Sequence, residues 1–303
     1  MMDQPTILEG QGARAPDLIF SAECLRREEA VAFARANVRL EGFTPSVQAE
    51  AHAQRYVNGE IALVPPSTWS VTNVGQDRPP SIADREQLEG DSAFWRLVEL
   101  QMQPVVGCFD AQHLKEINRR IFQDLPGLGF ADVTPGQYRP SVPADKDWMK
   151  NRGLSTVAGS FYVAYSRMDA AAQDRLDLAL QRADPIKLRG MDTAEFTASM
   201  AWLYAELDYA HPFNDGNSRT LRTFTRQLAK ESGYELDWNR FASSQVGRDL
   251  LYIARDRSVN ALAKPLARDE RTITKLIYTM DRVAGNRDLP DLLRDAVRPS
   301  GAR

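Results

Sequence analysis

Residues 192–232 constrain the fold most, because they spell a helix, an enforced break and a second helix within one short run. Asp192 followed by Glu195 forms a capping box, and Phe196, Met200, Leu203, Tyr204 and Leu207 recur at helical spacing on one face. His211 falls one turn later on that face, and Pro212 ends the helix because it has no N–H to continue the ladder. Asp215-Gly216-Asn217 is a turn in which glycine takes positive φ, and Ser218 is placed to cap the next helix. That helix opens with Arg219 and Arg222, two cations where the macrodipole is already positive, at a few tenths to ~1 kcal/mol each. An anion held there offsets the cost, since turn amides, the helix N-terminus and both guanidiniums converge on it. Asp215 beside such an anion suits Mg²⁺, and His211 suits a general base for a hydroxyl attacking a bound phosphate. Spacing alone leaves a second reading open: a capped helix-turn-helix with solvated arginines and a structural histidine.

Helical signals fill most of the remaining chain. They run over 25–41 with Gly42 as a stop, and from Thr44 as N-cap with Pro45 at the first helical position to about Val57. They return over 94–102, 110–125, 170–182, 219–232, 239–260 and 271–284. Pro65-Pro66, Gly75, Pro79-Pro80 and Gly90 punctuate 64–91, which reads as a linker or irregular strap. Glycines and prolines also fill 126–165, where the β-prone Phe161-Tyr162-Val163-Ala164-Tyr165 implies a small hairpin. Residues 299–303 read as frayed. The fold class expected is all-α with one small hairpin.

Composition narrows the function. With 38 Lys plus Arg against 41 Asp plus Glu there is no basic field for general nucleic-acid or membrane binding. Two cysteines, Cys24 and Cys108, make neither a disulfide scaffold nor a zinc ribbon, and they read as inert thiols of a reduced, cytoplasmic protein. The start of the chain lacks a signal-peptide pattern, and no apolar run reaches membrane-spanning length. Only His52, His113 and His211 could supply an imidazole; His52 reads as solvated and His113 as packed.

The segment His211-Pro212-Phe213-Asn214-Asp215-Gly216-Asn217-Ser218-Arg219-Thr220-Leu221-Arg222 resembles the signature of the Fic (Fic/Doc) family, His-x-Phe-x-(Asp/Glu)-Gly-Asn-Gly-Arg-x-x-Arg. The stretch from Phe109 to Phe122, the turn Gly136-Gln137-Tyr138-Arg139 and the run Gly233 to Trp238 resemble the same family, so the likeness covers roughly 93–260. It implies a Fic-type helical bundle and a protein AMP-transferase. By matched position, His211 would deprotonate a target hydroxyl and Asp215 would hold Mg²⁺ on the α- and β-phosphates of ATP. Gly216, Asn217 and Ser218 would form the anion hole, Arg219 would bind the β-phosphate and Arg222 the γ-phosphate. A β-hairpin flap between the Gly136 turn and Tyr165 would pair with target backbone. Trp148, like Trp95, Trp202 and Trp238, reads most simply as a core or loop anchor, with contact to the target near the flap as its alternative. Ser218 departs from the family's glycine; its side chain either crowds the phosphate or caps the helix, and its small, neutral character favours AMP transfer.

Asn37-Val38-Arg39-Leu40-Glu41-Gly42 resembles the Fic inhibition motif, (Ser/Thr)-x-x-x-Glu-(Gly/Asn), with Asn37 in place of Ser/Thr. Its surroundings, through Arg55-Tyr56-Val57-Asn58-Gly59-Glu60, resemble the small antitoxin partner of class I Fic toxins. The resemblance implies a tail over 1–21, antitoxin-like helices over 22–62, a linker over 63–92, a Fic catalytic domain over 93–260 and a helical extension over 261–303. Glu41 would pair with Arg222 and fill the γ-phosphate site. The implied function is an autoinhibited AMP-transferase, with a type II topoisomerase subunit, DNA gyrase or topoisomerase IV, as target. The alternatives are a non-catalytic nucleotide-binding module and a Fic enzyme transferring another phosphate-containing group.

Overall fold

The computed structural model describes residues 15–63 and 81–301. In chain order the elements are α1 (Ala15–Leu40), α2 (Val47–Val57), α3 (Ile82–Met102), α4 (Ala111–Phe122), β1 (Trp148–Arg152), β2 (Phe161–Tyr165), α5 (Ala170–Leu180), α6 (Pro185–Arg189), α7 (Thr193–Ala210) and α8 (Asn217–Glu231). They continue with β3 (Tyr234–Leu236), α9 (Asn239–Ala242), α10 (Gln245–Ala263), α11 (Glu270–Arg282), α12 (Leu289–Leu293) and β4 (Val297–Pro299). The architecture is all-α, as expected, with two small antiparallel strand pairs among the described residues.

Helix α7 lies at the centre. From Leu203 to Ala210 every residue is buried, because α5, α8, α10 and α12 pack around it. Helix α4 shows how the surrounding layer forms: the Asp110 side chain accepts from the Gln112 and His113 amides at its start. Its apolar stripe of Leu114, Ile117, Ile121 and Phe122 then packs toward α3 and α8. His113 stays in that layer, stacked on Phe109 with Nε2 3.1 Å from Gln227 Oε1.

The N-terminal helices cannot bury a core of their own, and they do not. Phe33, Ala34, Val38 and Leu40 of α1 are wholly buried in the same continuous core as α3, α4, α7 and α8. Fully burying such a side chain is worth about 1.5–3 kcal/mol, so α1 is held firmly.

Five boundaries differ from the sequence reading. Helix α1 begins at Ala15, inside the stretch 1–21 expected to be a tail and ten residues before the expected helix start. Ser46, rather than Thr44, caps α2 by accepting from the Ala49 amide. Helix α3 begins at Ile82, inside the stretch expected to be irregular, because Ser81 and Asp84 make a reciprocal capping box. Gly90 is helical there; a Cβ on it would stand 3.1 Å from Phe43 Cβ, so this glycine marks a close approach. Residues 239–260 split into α9 and α10, since Ser244 stops one and caps the other through the Gly247 amide. The C-terminal stretch is pinned up to Ser300: β4 pairs with β3, and the Ser300 amide donates to Gly233 O. The remaining part of the expected strap, 64–80, and the tail up to residue 14 lie outside the described residues.

The expected hairpin is β1–β2, in register Trp148↔Tyr165, Lys150↔Val163 and Arg152↔Phe161. Its β2 strand leans on α10 and α11, and Arg152 ties β1 to α10 through Asp256 at 3.0 Å. Among the described residues β1 pairs only with β2, which leaves its outer edge open.

Candidate active site

Helix α7 ends on His211, whose φ of 45° places a non-glycine residue in the left-handed region. Such a conformation costs on the order of 1 kcal/mol and persists only where neighbours over-determine it. Here they do. Buried Arg139 donates to His211 O at 2.8 Å and to Ser166 O at 2.6 Å, while its backbone amide donates to Pro212 O. The Ser166 hydroxyl takes Ala210 O at 2.8 Å, so the last carbonyls of α7 are satisfied by the turn and the hairpin stem.

The His211 ring is clamped as firmly as its backbone. Tyr165 stacks on it at 3.8 Å and Trp148 meets it edge-on at 5.3 Å. Trp148, read from sequence first as an anchor and alternatively as a target contact, also stacks under the Arg139 guanidinium at 3.7 Å. Lys150 Nζ lies 3.2 Å from His211 Nε2, and Asp208 Oδ1 lies 3.6 Å from Nδ1. Burial pushes the His211 pKa down to about 3, and the Lys150 and Arg139 cations push the same way against Asp208. The ring is therefore neutral at physiological pH, as a general base must be.

The loop beyond it closes on itself. The Asn217 side chain accepts from the Phe213 amide at 2.9 Å and donates to Phe213 O at 2.8 Å, bridging both ends of the turn. Gly216 sits at φ 71° with its Cα against the Phe122 ring; an added Cβ would lie 1.9 Å from that ring. Asn118 of α4 donates to Thr220 Oγ1 and accepts from the Gly136 amide, joining α4, the Gly136 turn and α8. Asp215 is half exposed; its Oδ1 accepts from the Gly216 amide at 2.6 Å.

Ser218 does not cap α8. The helix begins one residue earlier, at Asn217, with Gly216 in the cap position. The Ser218 hydroxyl instead accepts from Arg255 Nη2 of α10 at 3.0 Å.

Arg219 and Arg222 are both buried. The Arg219 guanidinium lies over the Phe122 and Phe43 rings, at 4.6 and 5.2 Å from their centroids, and Nη2 donates to Glu89 Oε1 at 2.6 Å. Burial raises the Glu89 pKa, with Arg219 opposing. Arg222 meets the end of α1: Nε donates to Asn37 Oδ1 at 2.6 Å, and Nη2 to Asn37 O at 3.0 Å and to Glu41 Oε1 at 2.6 Å. Burial pushes the Glu41 carboxyl up, but the Arg222, Arg219 and Arg255 guanidiniums outweigh it and hold it at about 2. Gly42 follows at φ 95°, and Arg248 and Tyr252 of α10 donate to Leu40 O at 2.9 and 3.0 Å.

The structure thus gathers His211, Asp215, Gly216, Asn217, Ser218, Arg219, Arg222, Asn37, Glu41 and Gly42 around one loop. Sequence reasoning gave no role to Glu89, Asn118, Lys150, Asp208 or Arg255. Asp208 carried the one available signal, a charge on the apolar helix just before His211.

Residues 108–229 match the family model described as the Fic/DOC family. This stretch is a Fic domain. Residues 27–63, which bring Asn37 and Glu41 to it, match the model described as Antitoxin VbhA. The antitoxin domain and the Fic domain thus lie in one chain. The chain is 30% identical over 165 residues to the protein adenylyltransferase VbhT of Bartonella schoenbuchensis, covering 54% of this chain and 30% of that one. It is 26% identical over 156 residues to a protein adenylyltransferase of Bartonella henselae, covering 50% and 26%. It therefore spans less than a third of the length of these two relatives. Among solved structures, the Fic domain of a Bartonella quintana effector with bound ADP superposes with TM-score 0.45 at 19% identity, over 75% of this chain and 90% of that one. No helix among the described residues is long and apolar enough to cross a membrane.

Proposed function

We propose that this chain transfers AMP from Mg-ATP to a hydroxyl side chain of a bacterial protein, and that its antitoxin domain restrains the transfer. One observation carries the reading: Arg219 Nε and Nη1 and Arg222 Nη1 are buried without a hydrogen-bond partner among the described residues, at the other end of one loop from a neutral histidine. A buried donor left unsatisfied costs about 1–3 kcal/mol, and the outer phosphates of a nucleotide would satisfy all three. A module that only held the nucleotide would have no use for the base.

In this reading Arg219 takes the β-phosphate, Arg222 the γ-phosphate, and the first-turn amides of α8 complete the anion hole. Asp215 keeps one carboxylate oxygen clear of the Gly216 amide, which suits Mg²⁺, an ion usually held by one or two carboxylates and the substrate's own phosphates. Bound there, the ion would neutralise charge on the α- and β-phosphates. His211 Nε2 takes the proton of the target hydroxyl, whose oxygen attacks the α-phosphorus. The bond from that phosphorus to the bridging oxygen breaks and pyrophosphate leaves, with AMP on the target. The protein's contribution is positioning and charge neutralisation. The open edge of β1 offers a target strand a place to pair.

Glu41 occupies a donor of Arg222 that the γ-phosphate would need, and Asn37 occupies two more. The restraint is thus a carboxylate and an amide standing in for phosphate. Type II topoisomerase subunits, DNA gyrase or topoisomerase IV, are the proposed targets.

The test is ATP labelled on the α-phosphate, with Mg²⁺, in bacterial lysate and with purified gyrase and topoisomerase IV subunits. Wild type, Glu41→Gly, and Glu41→Gly with His211→Ala are compared. Label on a protein in the Glu41→Gly lane alone supports both transfer and restraint. Label in no lane, with the subunits present, removes the enzymatic reading.

A further inference from the structure

Asp208 and Lys150 face opposite edges of the His211 ring. Lys150 Nζ is 3.2 Å from Nε2, and an ammonium can only donate, so Nε2 is the acceptor and Nδ1 carries the ring hydrogen. Nδ1 is buried with no hydrogen-bond partner among the described residues, and the charged acceptor facing it, Asp208 Oδ1, is 3.6 Å away. That carboxylate is fully buried one turn before the histidine on α7. Arg255 of α10 grips both of its oxygens, at 2.8, 3.0 and 3.1 Å. The Arg255 guanidinium is itself aimed by the Ser218 hydroxyl of α8 and by the Tyr204 and Tyr252 rings. A line of polar contacts therefore runs from Ser218 through Arg255 to Asp208, and it ends at the edge of the imidazole that Lys150 does not touch.

We propose that Asp208 is the positioning residue of His211, fixing the tautomer with hydrogen on Nδ1 and a bare lone pair on Nε2, and that Arg255 and Ser218 hold Asp208 in place for this. The catalytic meaning of the tautomer rests on His211 being the base, while the tautomer itself is independent of any transfer. A buried carboxylate locked by a bidentate guanidinium has no alternative orientation, so it keeps the ring hydrogen on its own side. The serine at 218 thereby gains a task that glycine could not perform. Lys150 in turn covers the lone pair until a hydroxyl takes its place.

The three imidazoles of this chain make the test direct. The full chain is labelled with ¹⁵N-histidine, and long-range ¹H–¹⁵N correlation reads which ring nitrogen of His211 carries hydrogen at pH 7.5. The proposal expects Nδ1–H in wild type and again in Lys150→Met, where the ammonium no longer acts. Adding the paired replacement Asp208→Leu with Arg255→Met, which removes both charges together, should then make Nε2–H the major form, the one a free imidazole prefers. The His113 resonances, from a buried ring held by Gln227 and stacked on Phe109, report whether the fold survives. Movement of the hydrogen to Nε2 in Lys150→Met alone would overturn the proposal, and that variant decides the matter even if the paired replacement fails to fold. Retention of Nδ1–H in the folded triple variant would overturn it equally. Should the tautomer be as stated while no protein is ever labelled with AMP, the reading of His211 as a base falls and this one stands.

Discussion

Arg222 Nη2 donates to Glu41 Oε1 at 2.6 Å, across 181 residues of chain, with the guanidinium wholly buried. A charge-assisted hydrogen bond of this kind is worth about 1.5–3 kcal/mol, and each 1.4 kcal/mol is tenfold in an equilibrium. Glu41→Gly should therefore raise AMP transfer about tenfold or more in the α-phosphate labelling assay. The same variant should unfold at lower urea, because a buried cation loses its partner. Activity and stability thus move in opposite directions, and parallel loss of both would contradict the restraint.

Asn37→Ala removes one further acceptor from Arg222, Oδ1 at 2.6 Å, together with the Nδ2 donations to Arg219 O and Thr223 Oγ1, and leaves Glu41 and the carbonyl of residue 37 in place. The expected result is partial activation, several-fold and below that of Glu41→Gly, with about 1–3 kcal/mol of stability lost. Titration with urea, beside the label assay, measures both.

Gly216→Ala meets two obstacles at once, a φ of 71° and the Phe122 ring 1.9 Å from the new Cβ. The left-handed conformation alone costs about 1–2 kcal/mol for a residue with a Cβ. A melt followed by circular dichroism should drop by several degrees, with transfer lost even in the Glu41→Gly background. Unchanged activity there would mean that the loop has no need of its observed shape.

The pH profile follows from two depressed pKa values. Burial pushes His211 down to about 3, so this proposed base stays neutral down to mild acid in the free protein. In the Glu41→Gly background the acid limb of kcat/KM should show no inflection near 6.5, the value of an unperturbed histidine. Below pH 6.5 the unfolded chain takes up a proton on this residue that the folded chain refuses, so stability falls from there toward pH 3. Glu41, held at about 2, adds stability that is present above its unfolded value near 4.5 and lost as pH falls toward 2. Between pH 5 and 8 the restraint should therefore be constant, which labelling of wild type across that range checks.

What could be read from the chain was local. His211 on the apolar face, the break at Pro212 and the turn at Gly216 each follow from neighbours within a few residues, and the structure keeps all three. The support around them was not legible, because it arrives from far along the chain: Glu89 onto Arg219, Lys150 onto His211, Arg255 onto both Asp208 and Ser218. Propensity says nothing of such meetings. Ser218 illustrates the point, since a serine before a helix reads as a cap and only the approach of α10 gives its hydroxyl another donor. Gly90 misled for a related reason: a missing side chain signals a break in sequence, whereas Phe43 needed the space inside a helix. Asn37 was legible as a position and not as a network, because its contacts to Arg222 and Thr223 depend on how α1 crosses α8.

The shared core of α1 has a kinetic consequence. An inhibitor that is a separate chain leaves when both partners are diluted, and its hold is set by their concentrations. Here Val38 and Leu40 are wholly buried within the same core as the Fic helices, and the antitoxin domain's local concentration is fixed by the chain that joins α2 to α3. Under the proposed restraint, dilution would therefore not release Arg222, nor would degradation of a free partner. Release under that proposal would come from the last turn of α1, by a local opening around Glu41 that leaves the buried Phe33 and Ala34 seated. The proposed restraint would then behave as a conformational equilibrium within one molecule, the same at nanomolar as at micromolar protein.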